Sequence, residues 1–161
     1  MSDQAPLLRL TELVRSGAVT PVDGVLTLPF ADRRRSRLRA RLDDGREAAL
    51  ILPHGTVLRD GDRLRAADGG AVITVRAAEE TLSWATTGDP LVLARAAYHL
   101  GNRHVPVQIG EGWVAYQHDH VLDGMVREMG LHLHLRQAAF EPEAGGYRQA
   151  GQAHGGHSHE H

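Results

Sequence analysis

The sequence predicts an α+β protein in three parts: a β-rich N-terminal domain over residues 1–76, a mixed domain of strands and helices over residues 77–144, and a histidine-rich tail over residues 145–161. Three observations carry that expectation. Up to Ala77 the apolar residues come in short runs separated by Asp- and Gly-containing turns. After Glu79-Glu80 the rhythm alternates between strand-like and helix-like segments. From Glu141 onward nothing remains that could be buried, and four of the last eight residues are histidine.

In the first part, Val25 to Phe30, Arg37 to Leu42, Ala48 to Leu52 and Ala71 to Val75 read as strands. Alternating Arg and Leu over 37–42 predicts one buried and one solvated face, as in an antiparallel sheet. The turns Asp43-Asp-Gly45, Arg59-Asp-Gly-Asp62 and Asp68-Gly-Gly70 fall between the runs, where Asp and Gly tolerate tight-turn backbone angles. In the second part a strand over Thr81 to Thr86 precedes a helix over Leu91 to Leu100. Asp89 and Pro90 fit its N-cap and first position, and Gly101-Asn102 its stop. A strand over Val105 to Ile109, the Gly110-Glu-Gly112 turn, a strand over Trp113 to Gln117, a helix over Asp119 to Met129 and a strand from Leu131 complete the domain. The order is βαββαβ, that of the ferredoxin-like fold, with two helices on one face of a four-stranded sheet. Pro142, Gly145-Gly146 and the polar residues that follow predict a tail that is disordered without ligand.

Composition narrows the function classes. With no cysteine among 161 residues, disulfides, thiolate zinc sites, iron–sulfur clusters and a thiol nucleophile are all excluded. Eighteen arginines against 20 acids leave a formal charge of -2, so no overall field favours nucleic acid or an anionic membrane. No apolar run approaches the roughly 20 residues of a membrane span. The opening Met1 to Leu13 lacks a basic leader and a long apolar segment, which makes the cytoplasm the expected compartment. Eleven histidines are the unusual feature, and any metal chemistry must use imidazole or carboxylate.

His104 stands where a helix gives way to a strand. It reads either as a helix C-terminal imidazole interacting with the last carbonyls or as a functional group at an element boundary. His118-Asp-His120 reads two ways as well. Continuing the preceding strand, the two imidazoles would share a face and one metal ion; alternatively Asp119 caps the next helix with two incidental neighbours. His132 and His134, alternating with Leu131, Leu133 and Leu135, are expected to face solvent or a partner while the leucines face the core. His54 reads as a turn residue and His99 as a helix residue, neither a site. His154, His157, His159 and His161 have no packing role, and their interruption by Gly, Ser and Glu differs from the unbroken run of a purification tag.

Tyr98-His-Leu-Gly-Asn-Arg-His104-Val-Pro-Val-Gln108, His118-Asp-His-Val-Leu-Asp-Gly-Met125, Phe140-Glu-Pro-Glu-Ala144 and the His-rich end together resemble the UreE family of urease accessory proteins. The likeness is carried by residues 75–161; residues 1–75 match in β-rich character and position. The resemblance implies a chaperone-like peptide-binding domain followed by a ferredoxin-like metal-binding domain that dimerises. It implies a nickel metallochaperone rather than an enzyme, handing Ni²⁺ to urease through the accessory GTPase UreG and the complex that holds apo-urease. His104 would be the ligand at the dimer interface, His118 and His120 an additional site, and the tail histidines further ligands.

Elementary coordination chemistry supports dimerisation, because one imidazole cannot fill the four to six positions of a transition-metal site and a two-fold axis duplicates it. Imidazole accepts Cu²⁺ and Zn²⁺ as well as Ni²⁺. Bound imidazole is neutral, so binding is expected to weaken as pH drops through ~6.5. Three other readings compete. The first is a histidine-rich nickel, copper or zinc buffer without a delivery partner. The second, a metal-dependent hydrolase, needs an enclosed, carboxylate-rich pocket. The third, RNA binding through Arg33-Arg-Arg35, is disfavoured against a solvated loop by the overall charge.

Overall fold

The computed structural model describes residues 7–14 and 21–145. Ten strands and three helices follow in the order β1 Leu8–Val14, β2 Gly24–Leu28, α1 Phe30–Arg33, β3 Arg37–Arg41, β4 Glu47–Ile51, β5 Arg63–Ala66, β6 Val72–Ala77, β7 Glu79–Thr86, α2 Pro90–Asn102, β8 Gln108–Gly110, β9 Trp113–Gln117, α3 His120–Glu128 and β10 His132–Ala139.

The first six strands form one sheet in the order β2-β6-β5-β1-β4-β3. It is mixed, since β1 runs parallel to β4 and β2 parallel to β6 while the other pairs are antiparallel. The outer strands β2 and β3 are drawn together at the turn after β3. There the Asp43 amide donates to Val25 O at 2.9 Å, and the Thr27 hydroxyl donates to the Asp43 carboxylate at 2.8 Å. Curling the sheet this way covers edges that would otherwise stay open to pairing. Leu10, Leu26, Leu50, Leu58, Leu64, Ile73 and Val75 fill its interior. Along β3 the arginines are exposed and Leu38 and Ala40 half-buried, as the alternation predicts.

Phe30 departs from the expected strand, because α1 begins at that residue. The expected solvated loop at Arg33-Arg-Arg35 is also corrected. Arg33 is fully buried; its Nε donates to Leu28 O at 3.2 Å, Nη1 to Leu58 O at 3.0 Å and to Glu141 at 2.5 Å, and Nη2 to Phe140 O. A planar guanidinium with five donors suits this convergence of carbonyls, which local sequence cannot reveal.

The second sheet has the order β10-β7-β9-β8 with every pair antiparallel, which is the ferredoxin-like arrangement. Its β8 covers only Gln108–Gly110, shorter than the expected strand from Val105. Ala85, Val114 and Tyr116 on one face pack against Ala96 and Leu100 of α2 and Val126 of α3. Leu82 and Ala115 on the other face meet Phe30 and Phe140, with Val57, Trp84 and Trp113 alongside. That cluster and Arg33 join the two sheets. Leu135, expected in the core, is 53% exposed midway along β10, opposite Ser83 of β7. No helix among the described residues is long and apolar enough to cross a membrane.

Candidate metal centre

Asp89 accepts from the Leu91 and Val92 amides, and Pro90 follows it at the first helical position, so α2 starts as its sequence predicts. Its end differs. The helix runs through Gly101 to Asn102, and the residue that turns the chain is His104, at φ 57°. The His104 amide donates to Gly101 O at 2.9 Å and the Val105 amide to Leu100 O at 3.2 Å, the paired bonds of a Schellman motif. Helix α3 ends in the same motif, with Gly130 at φ 94° and bonds from Gly130 to Arg127 O and from Leu131 to Val126 O. Glycine adopts this left-handed conformation freely, whereas an L side chain there costs about 1–2 kcal/mol. An exposed histidine at one end and a glycine at the other is a local cost without a local packing return.

His104 lines an open cleft of about 960 Å³ between the two sheets, together with His54, Glu12, Arg34, Arg59 and Glu143. His54 lies in the exposed turn that its sequence predicts, but the fold brings that turn to the same cleft. No local signal could have shown this, since the contact depends on how the sheets join. Glu143, Ala144 and Gly145 form part of the wall, and the Glu143 amide donates to Val107 O at 2.8 Å. The last described residues therefore leave from beside His104. The cleft sits past the C-terminal end of α2, the negative end of the helix dipole, which favours a cation.

His118 and His120 do not share a strand face. Strand β9 stops at Gln117, and Asp119 caps α3, accepting from the Val121 amide at 2.8 Å and the Leu122 amide at 3.1 Å. Those two bonds, the Leu122 one foremost, hold the Asp119 carboxyl below the usual carboxylate range. The capping preference of Asp overrides strand continuation, and His120 becomes the exposed first residue of the helix. The His118 Nδ1 lies 3.1 Å from Asp123 Oδ2 and 3.1 Å from Ser83 Oγ, with its side chain 40% exposed. Asp123 is buried and also accepts from the Tyr116 hydroxyl at 2.8 Å. Burial, reinforced by that bond, pushes the Tyr116 phenol well above its ordinary value. The role of Asp123 was missed in the sequence, although its spacing of one helical turn from Asp119 was the available signal.

His132 and His134 are exposed on β10, opposite Thr86 and Trp84 of β7, away from His104 in sequence and outside its cleft. His99 is exposed on α2 with its ring 5.4 Å from Tyr98. His154, His157, His159 and His161 lie outside the described residues. Among the described residues no three His, Cys, Asp or Glu side chains converge as a metal site.

Residues 10–78 match the UreE urease accessory protein N-terminal domain and residues 71–161 its C-terminal domain. A protein of Alkalilimnicola ehrlichii called urease accessory protein UreE is 55% identical over 88% of this chain and 85% of its own length. Proteins of the same name from Pseudomonas putida and Citrobacter koseri are 51% and 48% identical, over 92% and 95% of this chain and 90% and 100% of theirs. Two family matches that together run from residue 10 to the last residue, and relatives near half identity over most of both lengths, place the protein: the chain belongs to the UreE family of urease accessory proteins.

Proposed function

We propose that this chain is a cytoplasmic nickel metallochaperone, not an enzyme, that delivers Ni²⁺ for assembly of the urease active site. The observation that carries the reading is His104, an exposed imidazole held at φ 57° in a motif that the same protein closes elsewhere with glycine. Retaining a costly side chain at the rim of a cleft is economical only if the side chain has a task. Residues 1–76 then serve as the peptide-binding-like domain, 77–144 as the metal-binding and dimerising domain, and 145–161 as the His-rich tail.

One imidazole leaves most of a nickel coordination sphere open. A second copy of the chain supplies a second His104 across a two-fold axis. The tail supplies His154, His157, His159 and His161, tethered at the cleft wall. The stretch between Gly145 and His154 reaches up to about 30 Å when extended, so these imidazoles act at high effective concentration near His104. His118 and His120 offer additional ligands, each from its own environment rather than as one pair. Ligands on a tether can be replaced one at a time by those of a receiver, the GTPase UreG in complex with apo-urease, which suits transfer better than a closed cage does. Cu²⁺ and Zn²⁺ fit the same imidazoles, so nickel is selected by supply and by the receiver.

The test is activation of apo-urease with its accessory GTPase, supplied with nickel only as the preloaded protein. The wild type is expected to activate and His104→Ala to fall at least tenfold. Equal activation by both proteins would remove His104 from delivery.

A further inference from the structure

We propose that Asp123 is a positioning residue for metal capture: it holds His118 in the Nδ1–H tautomer, so that Nε2 presents the free lone pair. This rests on the reading of His118 as a ligand for the cargo metal and adds the group that makes it one.

Asp119 caps α3, and one turn later the Asp123 amide donates to Asp119 O at 2.9 Å, which turns Asp123 to the inner side of the helix. There it is 2% exposed and faces Tyr116 and His118. Its Oδ1 accepts from the Tyr116 hydroxyl at 2.8 Å, and its Oδ2 lies 3.1 Å from His118 Nδ1. An ionised carboxylate only accepts. A bare Nδ1 lone pair at that distance would therefore be repelled, whereas an Nδ1–H donates a charge-assisted bond.

Ser83 Oγ, fully buried and 3.1 Å from the same nitrogen, would be satisfied by either tautomer. The carboxylate thus decides the tautomer. With Nδ1 turned to the interior, Nε2 is the remaining nitrogen of a side chain that is 40% exposed. Carboxylate, imidazole and metal in line is a recurrent arrangement that fixes ring orientation and raises ligand basicity, and losing the carboxylate commonly weakens binding by 10–100-fold. Asp123 is the carboxylate that the structure places against His118 Nδ1, whereas Asp119 Oδ1 accepts from the Val121 and Leu122 amides.

The test uses the full-length chain and needs no partner. Long-range ¹⁵N–¹H spectra of the metal-free wild type read the His118 tautomer directly, and Nδ1–H is expected; a predominant Nε2–H form would overturn the proposal without any variant. In Asp123→Asn the neutral amide no longer demands Nδ1–H, so the Nε2–H fraction should rise. The Ni²⁺ concentration that half-broadens the His118 ring signals should also rise, by roughly 10–100-fold. An unchanged midpoint in that variant overturns the role assigned to Asp123. A His118 signal that Ni²⁺ never broadens overturns the ligand reading beneath it and the proposal with it, whatever the tautomer, so the two failures are told apart.

Discussion

At the end of α2 the chain accepts a conformational cost that it avoids at the end of α3. His104 and Gly130 occupy equivalent places in two Schellman motifs, and only one of them is the residue that the backbone prefers. His104→Gly is therefore expected to raise stability by roughly 1 kcal/mol, or about 2–4 °C in Tm for a chain of this size, while losing the tight nickel site. His104→Ala keeps the strained φ and should lose the site without that gain. Thermal melts of the two variants separate relief of strain from loss of a ligand; equal melting temperatures would show that His104 is not strained. The motif singled out His104, but its left-handed conformation was not legible there. Gly101 offered itself as the stop, and only the packing of Leu100 and Val105 decides where the helix yields. Arg33 is the opposite case, since nothing in a run of three arginines marks which one will be buried under three backbone carbonyls.

Helix α3 shows the same competition between local rules at the scale of an element. Period-two spacing allowed His118 and His120 to extend β9, and the preference of Asp for the N-cap ended the strand instead. Because the amides of Leu122 and Val121 hold the Asp119 carboxyl below its unfolded value of about 3.9, its contribution is complete above that pH. It is lost as pH falls through the folded value. Protection of the Val121 and Leu122 amides, taken relative to their intrinsic exchange rates, is expected to hold above pH ~4 and to fall below it, ahead of protection in β7 and β9. Loss of that protection already near neutrality would contradict the capping account. The start of α2 was legible because Asp89 and Pro90 are cap residues without a competing pattern. The shortness of β8 was not, since the pairing that ends it comes from β9.

For the whole molecule, the order of the second sheet was legible because a βαββαβ succession has few ways to fold, even though β10 pairs with the distant β7. The first sheet was legible only as β-rich. Its parallel pairs β1 with β4 and β2 with β6 join residues far apart in the chain, and no local pattern encodes them. The union of the sheets rests on Phe30, Phe140 and the buried Arg33. Arg33→Ala leaves the Leu28, Leu58 and Phe140 carbonyls without that donor and removes a partner from Glu141; the expected loss is roughly 3 kcal/mol or more, read by urea unfolding. A loss under ~1 kcal/mol would show that the cluster alone holds the sheets together.

That union places His104, His54 and the departure of the tail at one cleft, which no reading along the chain could do. We propose that His104 binds nickel at a site completed by a second copy of the chain. The most direct measurement is Ni²⁺ calorimetry with simultaneous mass determination on the wild type and His104→Ala. A dimeric wild type is expected, with a tightest site that disappears in the variant while weaker sites on the tail survive. A variant that keeps the tightest site, or a wild type that binds it fully as a monomer, would contradict the claim.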